Sequence, residues 1–263
     1  MEKVDKNLPK DFEELCRESR LKILENSFKS KTSHIGSSLS VVEILLASFL
    51  HLNEFRDSII FSKGHAANGL YSVLSVLNKI DQDISNIYCK DGSEYYGHAN
   101  HKVNKLIPLS TGSLGHGLPF GVGVAMSKKI QSMNSSRILV IISDGECDEG
   151  TTWESALIAN HFQLDNLIVI VDRNGLQSLT TTEDTIKLEP FKDKWVSFGW
   201  DCVEIDGHNG QEIVENLINN GKPKCIIANT VKGKGIPFME DKVEWHYKYP
   251  NDEEFEIAKK LLK

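Results

Sequence analysis

The sequence predicts an α/β fold, a parallel sheet covered by helices on both faces, and three observations carry that prediction. Short, β-branched apolar runs recur at 59–61, 138–142, 167–171, 203–205 and 224–228. They are nearly continuous rather than alternating, as strands buried on both faces are. Longer segments of helical character separate them, and strands alternating with helices imply a parallel sheet. Several runs also stop at a polar, glycine-containing word: Ser62-Lys63-Gly64-His65, Ser143-Asp144-Gly145-Glu146, Asp172-Arg173-Asn174-Gly175 and Asp206-Gly207-His208. Open α/β sheets bind ligands outside the carboxyl ends of their strands, where these words fall.

In chain order, a first helix is expected over 11–27, with Leu15, Ile23 and Leu24 among its apolar positions. A second opens near Ser40 and runs through Leu46. The strand at 59–61 leads through the SKGH word into a helix containing Tyr71 and Leu77. The glycine-rich stretch 112–123 opens a tightly packed helix. The strand at 138–142, a helix over 151–161 and the strand at 167–171 form one βαβ unit, and the strands at 203–205 and 224–228 complete the sheet. No linker or internal repeat divides the 263 residues, and one domain over 1–263 is the economical reading.

The central βαβ unit carries the chemistry. Asp144 and Asn174 stand at two neighbouring strand ends, about thirty residues apart. With a nearby backbone carbonyl they offer hard oxygen donors, too few to enclose Mg²⁺ alone, and such ions are commonly completed by phosphate oxygens. Gly145 allows close approach of backbone to a phosphate. The arrangement is half of a metal–diphosphate site.

Composition narrows the alternatives. A net charge of −7 without a basic cluster argues against a nucleic-acid surface. Five cysteines (Cys16, Cys89, Cys147, Cys202, Cys225) without C-x-x-C spacing suit reduced thiols in a cytoplasmic protein. Cys147 lies in the metal loop with no base to activate it and reads as a bystander. No run approaches transmembrane length, and no apolar signal segment opens the chain, so no membrane association is expected.

The pattern DG, about thirty residues, then N resembles the thiamine diphosphate signature. The longer string DGECDEG at 144–150, with Trp153-Glu154, Leu164-Asp165-Asn166-Leu167 and Asp172-Arg173-Asn174, is similar to that of transketolases. Ser33-His34-Ile35-Gly36-Ser37, Ser62 to His65, Gly97-His98, Gly112-Ser113-Leu114-Gly115-His116-Gly117, Lys232-Gly233-Lys234-Gly235 and Trp245-His246 follow in the family's order. Two positions depart from the usual residues, Ser143 for glycine and His116 for glutamine, and each replacement is chemically close.

The resemblance implies a thiamine diphosphate-binding fold of the diphosphate-binding type. It implies that Asp144, Asn174 and the Leu176 carbonyl hold Mg²⁺, or Ca²⁺ or Mn²⁺ in its place. Ser37, His65, Gly112, Ser113, Leu114, Gly145 and Lys232 would contact the cofactor, while His34, His98 and His246 would face the sugar as catalytic residues. Lysine and imidazole donors suit a diphosphate, and imidazole can shuttle protons near neutral pH. Glu149 matches a family glutamate at the interface between subunits, with Glu154 beside it.

In that family the pyrimidine-binding and C-terminal domains follow, and the glutamate that activates the cofactor lies there. The resemblance covers about 11–247, and the sequence ends at Lys263. The expectation is an N-terminal subunit of a split transketolase, joined to a C-terminal subunit in an α2β2 assembly. The complex would move a two-carbon ketol unit from a ketose to an aldose, with sugar phosphates as the substrates the family pattern implies. The alternatives are a deoxyxylulose-phosphate synthase-like or 2-oxo acid dehydrogenase-like component, or a non-catalytic regulatory subunit of the same fold.

Overall fold

The computed structural model describes residues 7–81, 83–133, 135–218 and 220–263. Five strands, β1 (Ser58–Phe61), β2 (Ile138–Ser143), β3 (Leu167–Arg173), β4 (Asp201–Asp206) and β5 (Lys224–Asn229), form one sheet. All pairings are parallel, in the order β1-β2-β3-β5-β4. The register sets Ser143 beside Asp172, and Asp172 beside Ala228, so the polar words after β2, β3 and β5 emerge along one edge.

The runs of β1, β2, β3 and β5 are continuous because the pleat divides each between two cores, whereas the edge strand β4 is partly exposed, with Glu204 facing solvent. Ile59, Leu139, Ile141, Ile168, Ile170 and Ile226 pack on one face beneath α1 (Phe12–Ser30), α2 (Ile35–Ser40), α3 (Val42–His51) and α4 (Ala67–Val76). Ile60, Val140, Ile142, Val169, Val171 and Ile227 pack on the other beneath α5 (Gly117–Ile130) and α6 (Gly150–His161). α7 (Thr182–Thr185) and α8 (Phe191–Ser197) lie between β3 and β4. α9 (Gly210–Asn216) follows β4, and α10 (Asp252–Leu261) closes the chain. Burial on both faces is the arrangement parallel sheets require.

Several sequence expectations change in detail. The apolar stretch through Leu46 is two helices, because α2 opens at Ile35 and Val41 breaks the run before α3. The glycine-rich segment does not open its helix at Gly112: residues 112–116 form an irregular turn, and α5 starts at Gly117. That helix does pack tightly, since a Cβ at Gly121 would overlap the Val140 side chain of β2. Helices α7, α8, α9 and α10 lie outside the sequence expectation, although three carry legible caps. The Thr181 hydroxyl accepts from the Asp184 amide at α7. Asn209 accepts from the Gln211 and Glu212 amides at the start of α9, and Asn251 with Glu254 forms a capping box at α10. The five cysteines are all free thiols.

At the amino ends of the strands the charges are paired. Arg137 donates to Asp57 through Nε (3.1 Å) and Nη2 (2.7 Å), and the Arg137 amide adds a third bond at 2.8 Å. The same arginine donates to the carbonyls of His51 and Leu217, tying α3 and the α9 end to the sheet.

Candidate active site

Asp144 follows β2 directly and is 1 % exposed. One carboxylate oxygen accepts from Gly145 N–H at 2.8 Å and the other from Gly175 N–H at 2.7 Å. These bonds fix the carboxylate between the β2 and β3 loops. Burial and the neighbouring Asp172 charge nevertheless push its pKa up to about 6, and Arg173 at 3.6 Å offsets this only in part. A buried carboxylate in this condition is favoured by an added cation.

Asn174 is buried one strand over, and its Oδ1 accepts from the Leu176 amide at 3.1 Å, which turns the 174–176 backbone back toward Asp144. The Leu176 carbonyl is touched only weakly, by Lys232 Nζ at 3.4 Å. Among the described residues no group of three His, Cys, Asp or Glu side chains could hold a metal. The donor set is therefore one carboxylate, one amide and one carbonyl. It suits a hard divalent cation whose remaining ligands are phosphate and water.

Lys63 and Asp172, to which sequence reasoning assigns no role, anchor the site from below. Both are fully buried. The lysine ammonium donates to the Asp172 carboxylate and to the Ser37 carbonyl at 2.9 Å. Ser40 donates to Asp172 at 2.7 Å, and Thr230 donates to its other oxygen. Burial alone would raise the Asp172 pKa, but the Lys63 charge and these donors hold it low. The available signal was a lysine and an aspartate at the ends of strands otherwise wholly apolar.

Lys232 is also fully buried, yet all three of its partners are uncharged: the carbonyls of Gln177 (3.0 Å) and Leu176 (3.4 Å), and His246 Nδ1 (3.1 Å). Burial and the nearby Lys63 charge lower its pKa to about 8. A buried ammonium without a carboxylate partner is a fitting donor for an anion such as a diphosphate.

Four histidines meet over these groups. The His34 ring lies 5.6 Å from His65, 5.8 Å from His98 and 4.9 Å from His246. His34 sits in the left-handed region (φ 69°), and its amide donates to the His246 carbonyl at 2.8 Å. Burial, followed by neighbouring positive groups, takes the pKa of His34 down to about 4 and of His246 to about 3. His65 falls well below its ordinary value for the same reasons, and burial lowers His98. At neutral pH all four are uncharged, each able to donate at one nitrogen and accept at the other.

Two adjoining cavities result. The inner one, about 230 Å³, is lined by Ser37, His65, Gly112, Leu114, Asp144 and Asn174, with Leu176 and His246 among its further walls. The outer one, about 470 Å³, is lined by His34, His98, Tyr88, Tyr247 and Tyr249. Thus His246, expected to face substrate with His34 and His98, lies in the inner cleft against Lys232. Ser113 is exposed and does not line the inner cavity, although its neighbours Gly112 and Leu114 do.

Sequence reasoning also passes over Glu146. It is fully buried, accepting from the Ser62 hydroxyl, from Gly115 N–H at 2.8 Å and from Ser143 N–H at 3.3 Å. It joins the loops after β1, before α5 and after β2. Cys147 is buried, and burial raises its pKa well above the ordinary value, as befits a bystander. Glu149 and Glu154 are exposed.

A buried carboxylate, an amide and a carbonyl, with a buried ammonium reaching that carbonyl at 3.4 Å, stand at the strand ends where α/β enzymes bind their ligands. The family model for the transketolase thiamine diphosphate binding domain matches residues 15–262. The chain is 38% identical over 266 residues to one of the subunits of the apulose-4-phosphate transketolase of Actinobacillus succinogenes, covering 96% of each. It is 36% identical over 236 residues to the 6-deoxy-6-sulfo-D-fructose transketolase subunit of a Clostridium species, covering 85% of this chain and 86% of that one. The transketolase structure from Campylobacter jejuni superposes with a TM-score of 0.83 at 25% identity, over 96% of this chain but 42% of that one. The chain belongs to the transketolase family, and within it to the subunits that carry the thiamine diphosphate-binding domain.

Proposed function

We propose that residues 1–263 form a single diphosphate-binding domain. Asp144, Asn174 and the Leu176 carbonyl would hold Mg²⁺, and Ser37, His65, Gly112, Ser113, Leu114, Gly145 and Lys232 would hold thiamine diphosphate. The observation that carries this reading is geometric: Asp144, Asn174 and Leu176 line one cleft, and the buried Lys232 ammonium, bonded only to carbonyls and His246, reaches the Leu176 carbonyl at 3.4 Å. A metal bound to a diphosphate satisfies both the oxygen donors and the ammonium. The bound cofactor supplies the nucleophilic carbon that breaks and remakes a ketose carbon–carbon bond.

The chain's own residues bind, orient and move protons. His34 and His98 line the outer cavity, where a sugar hydroxyl would meet uncharged imidazoles able to accept or return a proton. His246 lines the inner cavity, bonded to Lys232 and 4.9 Å from the His34 ring of the outer one. The product is transfer of a two-carbon ketol unit between sugars or sugar phosphates. The relatives from Actinobacillus and Clostridium are themselves named as subunits, which supports a companion chain that carries the pyrimidine-binding domain. We place the two in a cytoplasmic α2β2 heterotetramer, since closed two-fold assemblies are the commonest. Among the described residues no helix is long and apolar enough to cross a membrane.

The test mixes this chain with its purified companion in the presence of Mg²⁺ and thiamine diphosphate. Ketol transfer from a ketose phosphate should appear only in the mixture, with a matching rise in mass by light scattering. Full turnover by this chain alone would refute the split reading.

A further inference from the structure

The word Asp206-Gly207-His208 ends β4, and the proposed reaction does not use it. His208 Nε2 accepts the Val231 N–H at 2.8 Å. A ring nitrogen that accepts a backbone N–H carries no proton, so the proton of the neutral ring is on Nδ1. That nitrogen lies 3.1 Å from Glu43 Oε2 and donates to it. Glu43, buried in α3, takes Arg20 Nη2 on both oxygens, at 2.6 and 2.8 Å. Arg20, buried in α1, turns its Nε to the Lys234 carbonyl at 3.0 Å. One continuous Arg–Glu–His chain therefore grips the backbone just before Lys232 and again two residues after it.

The loop is shaped for this grip. Gly235 has φ +92°, and a Cβ there would come within 2.9 Å of Arg20 Cδ. Past Asn229 the strand has ended, and Lys232 carries its ammonium on a flexible four-carbon stem. Where that ammonium sits depends on how firmly the 231–234 backbone is held. Buried ion pairs are weak stabilisers, and well-packed apolar residues often replace them without loss. Apolar residues could not, however, bond a backbone N–H and a backbone carbonyl on either side of one lysine.

We propose that Arg20, Glu43 and His208 are positioning residues for Lys232, fixing its loop so that the buried ammonium meets the cofactor diphosphate. This inference rests on the reading of Lys232 as a diphosphate donor.

The test is a double-mutant cycle on the chain assembled with its companion, reading the Kd of Mg²⁺–thiamine diphosphate by calorimetry. His208→Gln should weaken binding about tenfold when Lys232 is present and add nothing in a Lys232→Ala background. Equal losses in both backgrounds, or no loss with Lys232 present, overturn the proposal. If Lys232→Ala alone weakens binding while His208→Gln is silent, the clamp falls and the cofactor site stands. If Lys232→Ala is itself silent, the reading of Lys232 falls, and the clamp with it. Arg20→Lys runs the same cycle should His208→Gln fail to fold. Asp57→Asn, a destabilising change at the opposite end of the sheet, should lower Tm without moving Kd, which separates positioning from general stability.

Discussion

Asp57 and Asp144, at opposite ends of the sheet, hold their charges in opposite ways. At the amino end Asp57 meets Arg137 through three hydrogen bonds. Burial would raise its pKa, but the Arg137 contacts more than offset this and hold it below the ordinary aspartate value. At the carboxyl end Asp144 is pushed the other way, to about 6, while Lys232 falls to about 8 and the histidines to about 4 and 3. Asp57 at the amino end has its ionised form stabilised, as Asp172 has by Lys63 at the carboxyl end, whereas Asp144 and Lys232 are left with their charged forms disfavoured. Charge that the fold has not satisfied is where a ligand has most to offer, and perturbed groups gather at functional sites for that reason.

The largest test of this contrast is Asp144→Ala. It removes the one carboxylate aimed at the metal, and Mg²⁺-dependent thiamine diphosphate affinity should fall by more than about 100-fold, beyond the range typical of supporting residues. Calorimetry on the assembled complex measures it, with Asp57→Asn unchanged. Unaltered affinity in a folded Asp144→Ala protein would remove the metal assignment. Asn174→Ala should cost less, because the ligand lost is neutral.

The histidines come next. His98→Ala, confined to the outer cavity, should lower turnover roughly 100-fold or raise the sugar KM while cofactor affinity holds, in the range of general acid–base contributions. His65→Ala should weaken cofactor binding. His246→Ala should do both, because His246 touches Lys232 at 3.1 Å. Steady-state kinetics alongside cofactor titration separates the three, and identical behaviour would mean that the cluster is structural.

At the amino end the expected effect is on stability alone. Arg137→Ala removes the two guanidinium bonds to Asp57, leaving the residue-137 amide and Arg56 Nε (3.2 Å) on the carboxylate, and should cost roughly 2 kcal/mol in denaturant unfolding, with cofactor affinity intact. A shift in Kd would show that the two ends are coupled.

The smallest expected effect is a pH dependence. The folded-state pKa of Asp57 is depressed, so its stabilising contribution is complete above the unfolded value near 3.8 and is lost as pH falls through the lower folded value. Acid unfolding followed by circular dichroism should therefore be less steep below about pH 4 in Asp57→Asn than in the parent. Superimposable acid curves would remove Asp57 from the account.

The sequence alone determined the fold class, since a parallel strand buried on both faces has no choice but a continuous apolar run, as at 138–142 and 167–171. It also determined that Asp144, Asn174 and Gly145 share one sheet edge, because the register of adjacent parallel strands places their ends together. What it could not decide was which distant polar residues meet. Lys63 and Asp172 are 109 positions apart and form one buried ion pair; Arg20, Glu43 and His208 converge on a loop 23 residues or more from any of them. Nor could it place His246 against Lys232 rather than with His34 and His98 alone. Periodicity and end signals are local, whereas partnership between buried polar groups is settled only when packing brings them within hydrogen-bond reach and leaves no water to take their place.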